Sequence, residues 1–277
     1  MTLGLAIEDP AYFDRLAQVE VEHWWSRGMW RLGAYWLDQT LAHRNGLDAL
    51  DVGCGTGFTM LRLRDRPEIR EVFGLDPSID ALEHARRLHD MPLHRGSALD
   101  LPFEDDSFDV VTSFDVLQHL PDGGDRRAVD EMRRVLRPGG IALIRSNGRA
   151  PWNSRPTKDP SYRLRDLTDL FAEAGFRVRH ASYANCLPAL AQELRGHLPR
   201  LSRGRPGHPS GGGLQIRLPH PGINRMMGAV SGMEAWVAGA CGVPLPYGHS
   251  TMLLAELDSR TNLQETPEPT SATGRLG

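Results

Sequence analysis

Cysteine is scarce and lysine nearly missing from this 277-residue chain. The three cysteines, Cys54, Cys186 and Cys241, are odd in number and far apart. They offer no disulfide framework and point to a reducing, cytoplasmic setting. Lys158 is the sole lysine among 32 basic side chains, which reads as the codon bias of a GC-rich genome. A formal net charge of −3 argues against a general polyanion binder, although the charge is unevenly spread. The first ten residues carry no basic stretch and too short an apolar run for a signal peptide or a membrane span. There is no Gly-Lys-Ser/Thr phosphate loop and no cluster of metal-ligand spacing.

What is present starts with Leu50-Asp51-Val52-Gly53-Cys54-Gly55-Thr56-Gly57. An apolar, β-branched lead-in breaks into three alternating glycines that open a helix, the pattern of a strand ending in a ligand loop. A dinucleotide fingerprint would need a further glycine at position 58, where Phe58 stands. Nineteen residues after Gly57, the run Val72-Phe73-Gly74-Leu75 ends in Asp76, whose carboxylate can accept from both ribose hydroxyls. Asp76 can also serve as a helix cap before Pro77-Ser78, and the two roles are compatible.

These residues, with three later motifs, resemble the class I S-adenosylmethionine-dependent methyltransferases, in the manner of the type 11 small-molecule enzymes. Gly96-Ser97-Ala98-Leu99-Asp100-Leu101-Pro102-Phe103 looks like the family's adenine loop, with Ser97 where aspartate is usual. Residues 107–120 look like its fourth strand and the short helix after it, with Gln118 where glutamate is commoner. Residues 134–144 look like the helix, turn and fifth strand that follow. The resemblance covers residues 47–146. It implies contacts to S-adenosylmethionine from Asp51, Gly53, Cys54, Gly55, Gly57, Asp76, Pro77, Ser97, Ala98, Leu99, Phe114 and His119.

Upstream, residues 11–44 read as one or two helices rich in aromatics. Glu22-His23-Trp24-Trp25-Ser26-Arg27 resembles a His-Trp-Trp-Phe-Arg signature of one bacterial branch, in which such a helix lies across the cofactor as a lid. Trp25 would then line the cofactor, and Arg27 would pair with its methionine carboxylate. The alternative is that the tryptophans pack helices and Arg27 is a solvated charge.

Strand and helix signals alternate from residue 47. The expected fold is α/β: a doubly wound, seven-stranded, Rossmann-like methyltransferase sheet with an N-terminal helical lid and a helical insertion before the last strand. The divisions expected are a lid at 1–44, a core at 45–183, a substrate-cap insertion at 184–247, a last strand at 248–258 and a disordered tail at 259–277. A loop is expected at 148–161 over the ligand rim. Within the insertion, Leu187 to Leu198 and Ile223 to Cys241 read as helices around a flexible loop at 202–213. The second helix carries Met226, Met227, Val230, Met233, Trp236 and Val237, read as adaptable core or as part of a substrate box. From Leu194 to Met233 there is no acid, while Arg195, Arg200, Arg203, Arg205, Arg217 and Arg225 are present. That stretch suits an anionic substrate or surface, or is a solvated basic face.

Methyl transfer from a sulfonium mainly needs the acceptor held in line in a dry pocket, and a base only if the acceptor must lose a proton. His119 is the leading candidate base, with Tyr162 and His23 behind it; His119 can equally be a satisfied helix histidine. No Asp/Asn-Pro-Pro-Tyr/Phe and no cysteine follow the fourth strand, which disfavours nucleic-acid bases as acceptors. The expectation is a methyltransferase acting on a small anionic or apolar acceptor, O-methylation favoured, without nucleic acid or a membrane span, as monomer or homodimer. The alternatives are a lipid, quinone or prenyl-type acceptor, or a cofactor-binding regulator, scaffold or cyclase that no longer methylates.

Overall fold

The computed structural model of the protein describes residues 12–149, 161–197 and 218–258. Two helices come first, α1 (Tyr12–Glu22) and α2 (Trp24–Leu41). They are separated at His23, whose Nδ1 accepts from Trp25 N at 3.2 Å and caps α2. The alternating part runs β1 (Leu47–Val52), α3 (Phe58–Arg64), β2 (Ile69–Asp76), α4 (Ile79–Leu88), β3 (Leu93–Arg95), β4 (Phe108–Phe114), α5 (Gly124–Val135) and β5 (Leu136–Asn147). Then come α6 (Leu164–Glu173), β6 (Phe176–Ala184), α7 (Cys186–His197), α8 (Pro221–Ala235) and β7 (Ser250–Leu257).

The strands form one seven-stranded sheet in the order β3-β2-β1-β4-β5-β7-β6. β1 to β5 are parallel, and β7 runs antiparallel between β5 and β6. All six residues of β1 are buried, as a strand covered on both faces must be. One face packs against α5 and α6, through Met132, Val135, Leu167 and Phe171. The other packs against α2, α3 and α4, through Leu32, Trp36, Met60 and Leu82. The chain order reverses between β1 and β4, so the crevice beyond their carboxyl ends is the expected ligand site.

The helix read over Ile223 to Cys241 begins two residues earlier, because Pro221 suits the first helical turn and the His220 ring accepts from Gly222 N at 3.3 Å. Its last turn, Trp236–Ala240, widens to π geometry. Of the apolar stripe of α8, Met226, Met233 and Trp236 are each more than half exposed, while Met227, Val230 and Val237 are half-buried. The inner face is taken by Gly228, Ser231, Glu234 and Ala235, which are small or hydrogen-bonded and admit α2 closely. Residues 150–160 of the rim loop, the loop at 202–213, Arg200, Arg203, Arg205, Arg217 and the tail at 259–277 lie outside the described residues.

Candidate active site at the switch point

At the end of β1, the backbone of Gly53 and Cys54 both donate to Leu75 O, at 2.7 and 3.0 Å, which ties the glycine loop to β2. Gly53 has a φ of +77° and lies hard against the Val116 side chain, leaving no space for a Cβ. Gly55, at φ +52°, is half-buried, and a Cβ added there would meet nothing within 4 Å. Asp76 closes the loop from below. One carboxylate oxygen accepts from Gly55 N at 2.9 Å and the other from Ser78 N at 2.8 Å. Each oxygen keeps a lone pair with which it can accept from a ligand hydroxyl while supporting the loop.

Three acids surround this loop. Asp51, 2% exposed, accepts from Thr112 Oγ at 2.7 Å across the β1–β4 pair. Glu20 reaches from α1 to a short hydrogen bond with the Thr56 hydroxyl. Burial raises the pKa of both Glu20 and Asp51 to about 7, against the lowering effect of their hydrogen bonds. Burial also raises Asp76, opposed by its two backbone donors. The Cys54 thiol is pushed up by burial and by these carboxylates, so it is no nucleophile. Three crowded acids, two of them titrating near neutrality, are the electrostatic complement of a cation that also carries a ribose.

The adenine-type loop is held from α5: Arg134 donates to Leu101 O and Phe103 O, and Glu131 accepts from Leu101 N at 2.7 Å. Ser97 accepts from Leu99 N at 3.2 Å, so its hydroxyl braces its own turn, while Ala98 is buried beneath it. Pro77 passes directly from Asp76 into the Ser78 cap of α4.

Beyond β4 the polypeptide is strained. Asp115 has a φ of +63°, which a residue with a side chain adopts only when its surroundings enforce it. Its carboxylate accepts from Gln118 Nε2 at 2.6 Å, and Gln118 Oε1 accepts from Ser146 Oγ at 2.6 Å. Gln118 therefore acts as donor and acceptor at once; a glutamate there would oppose Asp115 with like charge. Asp115 also forms an ion pair with Arg145, a fully buried side chain near the end of β5. The Arg145 guanidinium lies 4.0 Å from the centre of the Trp25 ring.

The residues expected to act on the acceptor are placed apart. His23 is buried, with a lowered pKa, and serves as the α2 cap. The Tyr162 hydroxyl donates to Asp125 at 2.9 Å, and burial with that carboxylate pushes its pKa up. His119 is exposed on the short turn Leu117–His119, and Phe114 is half-buried beside Asp115. Arg27 is exposed, and Trp25 of the same helix lies against the Arg145 guanidinium. Sequence reasoning missed Glu20, Asp115 and Arg145. For Arg145 a signal existed: a charge directly follows Ile141-Ala142-Leu143-Ile144, within a strand.

α2 and α8 form one seam over this end of the sheet. Trp24 N donates to Asn224 Oδ1 at 2.9 Å, and Asn224 Nδ2 to Glu22 O at 2.9 Å. Ser231 Oγ donates to Trp24 O at 3.2 Å, and Gln39 Nε2 to Gly239 O at 2.9 Å. Glu234 accepts from Cys186 N and Leu187 N, which anchors the start of α7.

Comparison with known proteins adds the following. Residues 49–140 match a family described as a methyltransferase domain. A probable S-adenosylmethionine-dependent methyltransferase of Mycolicibacterium smegmatis is 37% identical over 148 residues, covering 50% of this chain and 56% of that protein. A demethylmenaquinone methyltransferase of Staphylococcus aureus is 41% identical over 105 residues, 36% of this chain and 43% of that one. The chain thus spans about half the length of the curated relatives it matches. Among solved structures, phosphoethanolamine N-methyltransferase 2 of Haemonchus contortus, in complex with S-adenosyl-L-methionine, superposes with a TM-score of 0.58 at 17% identity, covering 92% of this chain and 59% of that one. The [4+2]-cyclase SpnF superposes with a TM-score of 0.53 at 24% identity, covering 82% and 80%. At these identities the two structures speak for the fold alone.

Proposed function

Since the chain belongs to the class I S-adenosylmethionine-dependent methyltransferases, we propose that it transfers the cofactor's methyl group to a small-molecule acceptor, with oxygen as the favoured methylated atom. The observation that supports this best is the ring of Glu20, Asp51 and Asp76 around the open backbone of Gly55. A neutral or anionic nucleotide would meet three acids there, whereas a sulfonium nucleoside meets its complement. Bound S-adenosylmethionine supplies a methyl carbon activated for displacement by an acceptor lone pair, the carbon–sulfur electrons returning to sulfur. The protein's part is positioning. Asp76 holds the ribose edge, Ala98 and Leu99 flank the adenine, Asp51 and Glu20 face the cationic end, and Phe114 and Val116 wall the crevice. The lid, core and cap divisions expected from the sequence are retained in this proposal, as are a cytoplasmic site and a monomer or homodimer.

The test is turnover. S-adenosylhomocysteine formed from S-adenosylmethionine in the presence of a cell extract, and absent without the protein, supports the enzyme. Tight binding without turnover supports a regulator or cyclase instead. One observation favours a second reading, a lipid or prenylated quinone acceptor: the exposed row Ile223, Met226, Met233 and Trp236 on α8 offers an apolar surface beside the lid. An organic-phase radiolabel from the same assay would select it.

A further inference from the structure

We propose that Arg145 is an acceptor-binding residue, receiving a carboxylate of the methyl acceptor, and that Asp115 is its positioning residue. This rests on the methyltransferase reading and narrows the substrate class to carboxylic acids.

The placement comes first. Arg145 pairs in register with Phe114, where β4 and β5 reach the crevice. Val116, the residue after Asp115, lies against Gly53 of the glycine loop. The guanidinium is therefore on the rim where cofactor and acceptor must meet.

Its surroundings leave it incomplete. Arg145 is 1% exposed. Nη2 donates to Ser250 Oγ at 3.0 Å, and Nη1 is the atom paired with Asp115. Among the described residues Nε has no acceptor, and Nη1 has none with hydrogen-bond geometry. The group is therefore paired in charge through Asp115 but keeps a buried N–H at Nε without an acceptor, which is uncommon for a donor that has given up water. The desolvation is strong enough to lower the Arg145 pKa. Trp25 lies over the group, which is 4.0 Å from its ring centre. Asn147 lies two residues along the same strand face, and its Oδ1 is also buried and unpartnered. That acceptor suits a hydrogen-bond donor on the same ligand, such as a hydroxyl.

A purely structural ion pair explains less of this. Asp115 is held in left-handed backbone and steadied by the Gln118 amide, which is itself fixed by Ser146. Strain of that kind concentrates where function requires it. The pair also bears on ligand charge. Asp115 already offsets much of the guanidinium charge, so a planar monoanion fits and a phosphate dianion would be repelled.

Benzoate and its neutral isostere benzamide are the probes, titrated by ligand-observed NMR into protein loaded with S-adenosylhomocysteine. In the wild type, benzoate is expected to bind about tenfold more tightly than benzamide, the scale of one charge-assisted bond. Arg145→Gln should abolish that preference while S-adenosylhomocysteine affinity is kept. Asp115→Asn should move the other way and tighten benzoate severalfold, because the internal competitor is neutralised. A merely structural pair predicts that both variants lower the melting temperature and that neither changes the benzoate-to-benzamide ratio. The proposal is overturned by a wild-type ratio near one, by no saturable benzoate binding, by a preference that survives Arg145→Gln, or by weaker benzoate binding in Asp115→Asn. If Arg145→Gln does not fold, the wild-type and Asp115→Asn titrations still decide. The S-adenosylhomocysteine titration reads the methyltransferase assignment separately.

Discussion

The two sides of the switch point are built by different means. On the β1–β2 side, the site is backbone and carboxylate, assembled within about thirty residues of chain: the glycine loop, Leu75 O beneath it, and Asp76 bridging Gly55 and Ser78. On the β5–β7 side, it is side chain against side chain, with partners two hundred residues apart, as in Trp24 with Asn224 and Ser231. Under the proposed function the first side holds the cofactor, for which local geometry suffices, and the second receives the acceptor, through contacts that depend on how distant helices come together.

The sharpest way to separate the two sides is Asp76→Ala. It removes the ribose acceptor together with the support of Gly55, and cofactor affinity should fall by roughly 2–3 kcal/mol, the scale of charge-assisted bonds. Titration calorimetry with S-adenosylmethionine reads it, with NAD as a control expected not to bind. A loss of only a few tenths would mean that the ribose sits elsewhere.

The converse experiment breaks the far side and spares the near one. Gly28 lies against Ser231 where α2 crosses α8, at 2.7 Å from a would-be Cβ to Ser231 Oγ. Gly28→Val should therefore destabilise the protein by about 1–3 kcal/mol through overpacking. Hydrogen exchange should localise the lost protection to α2 and α8 and leave β1 and β2 protected. Uniform loss across the sheet would show that the seam and the cofactor side are one cooperative unit.

This division also explains what could be read in advance. Strand order and the glycine loop follow from local chemistry: a β-branched run, a tight turn, an acid ending the next strand. The Ser78 cap and the Pro221 helix start are likewise local signals. The outward turn of Met226 and Met233 was not legible, because periodicity marks an apolar stripe without saying what it faces. Nor was the contact of Trp25 with Arg145, which lies 120 positions away in sequence and 4.0 Å from its ring in space.

A subtler probe of the near side is pH. Glu20 and Asp51 have folded pKa values near 7, above their ordinary 4.5 and 3.8. Unliganded native protein thus holds more protons than the unfolded chain between those limits, so its stability should fall as pH rises from about 4 to 7 and level off beyond. Binding a cation favours the carboxylates and releases protons, so S-adenosylmethionine affinity should climb about tenfold between roughly pH 6 and 8. Glu20→Gln should flatten the climb. An unchanged slope in that variant would assign the proton to Asp51.

The smallest effect is expected at His119, on the turn that joins the two sides. A general base normally contributes roughly 10²- to 10⁴-fold and must reach the acceptor's proton in a site sheltered from water. His119 is exposed on the turn after β4, while the buried groups at that rim are Arg145 and Gln118. If the methylated atom has no proton to lose, positioning alone supplies the catalysis. His119→Ala should then retain at least about a third of the wild-type single-turnover rate at saturating cofactor. A loss on the hundredfold scale would make His119 the base, and would place the acceptor nearer the exposed edge of the crevice than Arg145 implies.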